Sequence, residues 1–508
     1  MTISCLNRRH FLHLSALGVA GGCLARHTFA WAADPIGGWD PTRPLLDSAK
    51  SLRVQPVLMY RLPVRQEQTS WKSWGGVQTE DAVCEEITRI EKELSDLRLE
   101  CEFKVQFNPV LKVQTPDDAA RVHESEHDAV LVYACTGGGD LLRACFSPGK
   151  DTLIFVRHRS GPVYYWYEAL SVKYLETRDD LSDASLVPQR HRPHVEDVVV
   201  DDYRELLWRL RALAACKSLR SSRVIALGGV WGKYSPDAPK IAREQFGLTP
   251  IEVSYEEFGP RLRRAQQDQQ LMERAREWME RYLGLSETTL RTERPFVQNA
   301  FLLYYLFKEL MQEHQAEVFT IKSCMGTIIP QAKTTACLSL SLLNDEGHLA
   351  FCESDFVVIP AGILLRYLAR KPVFLHNSTF PHQGRVTCAH CTAPRRMDGQ
   401  RYEPAILVTH YESEYGAAPK VTIPPGQPVC FINPEYSAGR WVGFRGVVRD
   451  NPFLEICRSQ QEVEIMGNWR QLLKEVRDSH WLMVYGDYLK EAGYAARKLG
   501  LRWDNLSA

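Results

Sequence analysis

Beyond residue 50 the chain alternates short apolar runs with longer stretches in which apolar residues recur every three or four positions. Residues 54–60 read as a strand and residues 80–97 as an amphipathic helix, and residues 101–107, 129–133 and 152–156 read as further strands. Strands interleaved with helices predict a parallel sheet. The alternation restarts with a helix over 198–217, a strand at 223–227, a helix near 238–246, a strand at 251–254 and two long helices at 261–282 and 295–315. It continues with strand 318–321, helix 334–343, strand 349–352 and helix 356–369. After Phe380 the texture changes to short alternating segments rich in proline and glycine as far as about residue 465, closed by helices at 469–476 and 488–499. The expected fold class is therefore α/β, with two or three Rossmann-like parallel-sheet units followed by a β-rich C-terminal module. The expected division is an N-terminal α/β domain over 50–190, a second over 191–320 and a C-terminal domain over 321–508 that includes the β-rich module.

Residues 1–33 follow a different pattern. Arg8 and Arg9 precede a mildly apolar run over about residues 12–25, and Ala30-Trp31-Ala32 follows. A charged start, a short apolar stretch and a small-residue cleavage site make a secretory signal. The Asn7-Arg8-Arg9-His10-Phe11-Leu12 stretch resembles the twin-arginine class. The apolar run falls short of the roughly 20 residues that span a bilayer. The expectation is an exported, periplasmic protein with no stable membrane insertion after signal removal, folded and loaded with any metal before export.

Charge changes this picture only by exclusion. The 62 basic and 62 acidic side chains balance, which leaves no basic footprint for nucleic acid. Fourteen cysteines over 508 residues are too sparse for a disulfide scaffold. Cys388-x-x-Cys391 lacks the second pair that a zinc ribbon needs.

Candidate chemistry gathers at expected strand ends. Glu353 and Asp355 follow the strand ending at Cys352, and His376 and Asn377 follow the next strand. His390 lies in Cys388–Pro394, and His480 begins an apolar run. Glycine turns at 137–140 and 228–232 sit where open sheets bind ligands.

The stretch ACLSLSLLNDEGHLAFCESDFVVIPAGILLRYLARKPVFLHN (336–377) resembles the C-terminal half of the L-fucose/L-arabinose isomerase-like proteins. The resemblance continues in order through His390-Cys391-x-x-Pro394, the 410–420 segment and His480-Trp481…Tyr485-Gly486-Asp487, and covers about residues 320–500. It implies aldose–ketose interconversion through an enediol, with a divalent cation polarising substrate oxygens and a carboxylate moving the proton. By position, Glu353 matches the first family carboxylate, His390 a ligand histidine of the arabinose branch and His480 the last ligand histidine. The second family carboxylate should follow Pro372-Val373-Phe374-Leu375, where this chain has His376-Asn377. The expected metal ligands are thus Glu353, His376, His390 and His480, with Glu353 or Asp355 moving protons. Lys322, Arg395, Arg396, Asn377 and Trp231 are the expected substrate contacts. The resemblance implies manganese, and a histidine-rich set brings in zinc, iron or nickel. It also implies a small carbohydrate as partner and a trimer or hexamer in which a neighbouring subunit supplies a glycine loop. Two alternatives stand beside the isomerase: a catalytically altered carbohydrate-binding protein on the same fold, and a lyase or epimerase acting on sugars.

Overall fold

The computed structural model describes residues 36–72, 75–158, 193–437, 439–475 and 478–507, so the expected export signal at 1–33 lies outside the described residues. The chain divides after Gly37. Of the first unit only Ile36 and Gly37 are described, and every described helix and strand belongs to the second, Gly38–Ala508.

The first sheet contains β1 (Leu52–Met59), β2 (Val105–Phe107), β3 (Leu111–Val113), β4 (Ala129–Ala134), β5 (Asp151–Val156) and β6 (Val198–Val200). Its order is β2-β1-β4-β5-β6, with β3 also pairing β1, and every pairing is parallel. The helix Glu80–Glu100 covers it with Val83, Ile90, Leu94 and Leu97 turned inward at helical spacing, and begins where the Thr79 side chain accepts from Ala82 N–H. Residues 198–200, expected to open a helix, instead form β6. Three consecutive valines favour the extended chain, and the helix Tyr203–Arg220 starts only after Asp202 caps it by accepting from Arg204 N–H.

The second sheet is built from β7 (Arg223–Leu227) and β8 (Thr249–Val253), then, after β9 (Thr288–Leu290) has left for a small separate sheet, β10 (Val318–Ile321) and β11 (Leu349–Cys352). The order β11-β10-β7-β8 is wholly parallel. Its carboxyl edge carries Gly228, Lys322 and Glu353 directly after β7, β10 and β11, the edge at which open sheets place ligands. The expected domain break between 320 and 321 falls inside β10, and β6 lies beyond the expected break at 190, because sheet pairing joins segments on both sides of each. The single helix expected at 261–282 is two, Tyr255–Gln267 and Gln269–Leu283, parted at Asp268, whose carboxylate caps the second. The helix Cys324–Ala332 was not expected from periodicity.

The β-rich module comprises β12 (Phe374–Ser378), β13 (Arg385–His390), β14 (Ala405–Val408), β15 (Ala418–Val421), β16 (Pro428–Pro434), β17 (Arg440–Asp450), β18 (Ser459–Met466), β19 (His480–Tyr485) and β20 (Arg502–Asn505). Six strands in the order β16-β19-β12-β13-β18-β17 close into an antiparallel barrel through the β16–β17 pairing. Closure removes the exposed edges of these strands. β20 lies parallel along the outside of β17, and β14 joins β9 and β15 in a small sheet. Phe374, Cys388, Phe431, Phe444, Trp481 and Met483 fill the barrel. On β19 the alternate residues Leu482 and Val484 face outward into the core shared with Phe351 and Val358. His480 has the same parity, so the barrel presents it toward the carboxyl edge of β11.

Candidate metal centre

Glu353 is aimed by its backbone. It and Ser354 are consecutive non-glycine residues in the left-handed region, with φ of 65° and 50°, a conformation that costs about 1–3 kcal/mol per residue and concentrates at functional sites. This double turn takes the chain off β11 and leaves the Glu353 side chain 40% exposed, beside His390 and His480. Glu353, His390 and His480 each offer one ligand atom, and the three atoms lie within 4.8 Å of one another. Glu353 Oε2 is 3.5 Å from His480 Nε2, and Oε1 is 3.9 Å from His390 Nε2.

Both imidazoles are held from behind. His480 Nδ1 donates to Asp355 Oδ2 at 2.7 Å, and His390 Nδ1 pairs with the Thr392 hydroxyl at 3.0 Å. Each ring therefore turns Nε2 toward Glu353, the arrangement in which outer partners orient a histidine ligand. Electrostatics separates the two rings. Burial disfavours charge on both, and it prevails at His390, whose pKa is lowered. At His480, hydrogen bonds to Asp355 and Glu353 outweigh burial and raise the pKa to about 9. Burial also opposes charge on Glu353, but hydrogen bonding and charge from His390 and His480 hold its carboxyl well below the usual carboxylate range.

Asp355 is completely buried and fully engaged. Besides His480, it accepts at Oδ1 from Lys233 N–H at 3.0 Å and Val357 N–H at 3.2 Å. Asp478 completes a second, fully buried group with Asp355 and His480. Its Oδ1 accepts from His480 N–H at 3.0 Å, its Oδ2 has no hydrogen-bond partner, and burial together with the Asp355 charge lifts its pKa to about 6.

The loop after β7 supplies a cation. Gly228 and Gly229 have φ of 85° and 98°, and a Cβ on Gly228 would come within 2.6 Å of the Tyr255 ring, so glycine is required there. The loop runs beside β11, where Trp231 bridges Asp355 and accepts from Phe356 N–H at 2.9 Å. Lys233 Nζ then lies 3.4 Å from His480 Nε2 and 3.6 Å from Glu353 Oε2. Of the two glycine loops expected from a neighbouring subunit, the one over 228–233 reaches the cluster within its own chain.

Of the four expected ligands, His376 is a correction. It is completely buried inside the barrel, 5.3 Å from the Phe374 ring, 5.6 Å from Phe431 and 6.3 Å from Trp481 between centroids. Its strand parity matches Phe374, so it faces the barrel core, and it does not join the group that converges on Glu353. Asp355 is corrected from proton carrier to the group that orients His480, because both its oxygens are engaged. Arg395 and Arg396 are buried in another cluster. Their backbone N–H groups donate to Asp345 Oδ1 at 2.7 and 2.8 Å, and Arg395 lies over the Tyr282 and Tyr402 rings. Asn377 pairs in register with His480 and shares its face. Trp231 contributes its backbone to the Asp355 clamp. Lys322 closes the sheet edge, with its N–H donating to Leu227 O at 2.9 Å and its carbonyl accepting from the Tyr255 hydroxyl. Cys388 and Cys391 belong to different clusters, the first in the barrel core and the second packed with Cys337 and Cys457.

Sequence reasoning offered the 228–233 loop as part of the site without giving Lys233 a role, and it missed Asp478 and Thr392. Asp478 and Thr392 each lie two residues from a ligand histidine, the one signal available for them.

The residues that converge fit a divalent cation. Two imidazole nitrogens and one carboxylate, each ring held by a hydrogen bond at its other nitrogen, form a three-donor set. Compared with known families and curated proteins, the chain matches no family model and no curated sequence.

Proposed function

We propose that the protein is a metal-dependent enzyme of the sugar-isomerase type, acting on a small polyhydroxy carbonyl compound, with Glu353, His390 and His480 holding one divalent cation. The observation that carries this reading is the pair of histidines whose Nδ1 atoms are engaged by Asp355 and Thr392 and whose Nε2 atoms face one carboxylate. Manganese follows from the resemblance, and two imidazoles among three donors bring in zinc, iron or nickel. A cation bound there would polarise the carbonyl and adjacent hydroxyl oxygens of an α-hydroxy carbonyl compound.

The chain's own residues have separable tasks. Asp355 fixes the His480 ring and Thr392 fixes His390. Glu353 is partly exposed between them, and it is the expected acid and base that remains at the cluster. Asn377, on the face of His480, is placed to meet a substrate hydroxyl. The sequence pattern of residues 1–33 supports export of the folded, loaded protein.

The experiment is proton exchange. The metal-replete protein is incubated in deuterated buffer with pentoses, hexoses and deoxyhexoses and followed by NMR. Deuterium entering the carbon beside the carbonyl, abolished by chelator and by Glu353→Gln, supports the reading; no exchange and no product with any of them contradicts it.

One observation favours a second reading, a carbohydrate-binding protein without turnover. The position where the family places its second carboxylate holds His376, which faces the barrel core. This reading predicts sugar binding that is insensitive to chelator and unaccompanied by exchange.

A further inference from the structure

Lys233 occupies an unusual place for a cation. Its ammonium is 3.4 Å from His480 Nε2 and 3.6 Å from Glu353 Oε2, two of the three atoms that face one another at the centre. The position is built. The Lys233 backbone N–H is fixed to Asp355 Oδ1, the same carboxylate whose Oδ2 fixes His480. Two residues earlier Trp231 bridges Asp355, and the glycines before it permit that approach. One buried carboxylate thus registers the ligand ring and the lysine against each other, and the lysine side chain is only 17% exposed.

An ammonium and a divalent cation cannot share Glu353 Oε2 cheaply. Like charges a few ångströms apart in a partly buried site repel by far more than they do in water. The lysine stem is flexible enough to swing while its backbone stays anchored.

We propose that Lys233 is a built-in counter-cation that competes with the metal ion for Glu353. This rests on the three-donor centre proposed above and deepens it. With no ion bound, Lys233 holds the carboxylate in place and offsets its charge. An entering ion displaces the ammonium from Glu353, so the affinity of the centre is set below what its three donors alone would give.

The test is binding of cobalt(II) alone to the chelator-treated full chain, read by calorimetry and by cobalt d–d absorption. It is run on the wild type, Lys233→Met, Lys233→Gln and Lys233→Arg, each with and without Glu353→Gln. Removing the charge should tighten binding at least about tenfold in both Lys233→Met and Lys233→Gln, while Lys233→Arg stays within about threefold of wild type. Glu353→Gln should abolish binding in every background. Unchanged or weaker binding in Lys233→Met and Lys233→Gln, still lost with Glu353→Gln, overturns the competition and leaves the centre standing. Absence of any Glu353-dependent cobalt binding overturns both. Two neutral variants at a part-exposed position guard against one of them failing to fold.

Discussion

The Asp355 carboxylate and the His480 ring meet in one 2.7 Å hydrogen bond between two completely buried side chains. That bond turns His480 Nε2 toward Glu353, so the orientation of the ring depends on a fully buried residue. Asp355→Asn keeps the shape but removes the charge. Loss of such an outer partner typically costs 10–100-fold in metal affinity, and a loss in that range is expected by calorimetry, with Thr392→Ala giving a smaller one through His390.

His376 supplies a pH prediction. Burial in the barrel lowers its pKa from 6.5 to about 3. The unfolded chain takes up a proton near pH 6.5 and the folded chain does not, so this residue's stabilising contribution is present above pH 6.5 and is lost as pH falls. His376→Phe should remove about 2 kcal/mol of that loss at pH 5. Denaturant melts at pH 5 and pH 8 check it, and cobalt affinity should remain unchanged.

Asp345 predicts the opposite slope. Burial raises its carboxyl from 3.8 to about 7, against the hydrogen bonds from Arg396 and Arg395 and their charges. The folded chain keeps this proton while the unfolded chain loses it, so stability is full below about pH 4 and declines as pH rises to about 7. Asp345→Asn can still accept both backbone N–H groups and should flatten this decline, by up to ~1.4 kcal/mol per pH unit, in melts across that range.

The turn that aims Glu353 is strained at a non-glycine residue. Ser354→Gly should leave stability unchanged or raise it by up to about 1 kcal/mol, because relief of left-handed strain offsets the entropy lost on ordering glycine. Ser354→Val, β-branched at the same φ, should cost more than about 1 kcal/mol. Thermal melts separate the two.

Much of the fold was legible because most of the parallel strands are short apolar runs bounded by turn residues and followed by a helical period. The three converging side chains, Glu353, His390 and His480, were legible as polar residues at expected strand ends. His376 was not, since Val373 to Leu375 is apolar on both faces and parity alone cannot say which face lines a barrel. Arg395 and Arg396 read as substrate contacts because Asp345, which accepts from their backbone, lies some fifty positions earlier in the chain. The left-handed pair at Glu353-Ser354 contains no glycine to announce it. Lys233 reaches the centre only because the loop after β7 bridges to Asp355, just beyond β11 and two strands away in the sheet.

The centre itself is tested most directly by metal stoichiometry. Manganese or cobalt is titrated into the chelator-treated protein and into Glu353→Gln, His390→Ala, His480→Ala and His376→Phe. One ion per chain in the wild type and in His376→Phe, and none in the other three, is the expected result. An ion retained without Glu353 and both histidines, or lost on replacing His376, would contradict the assignment.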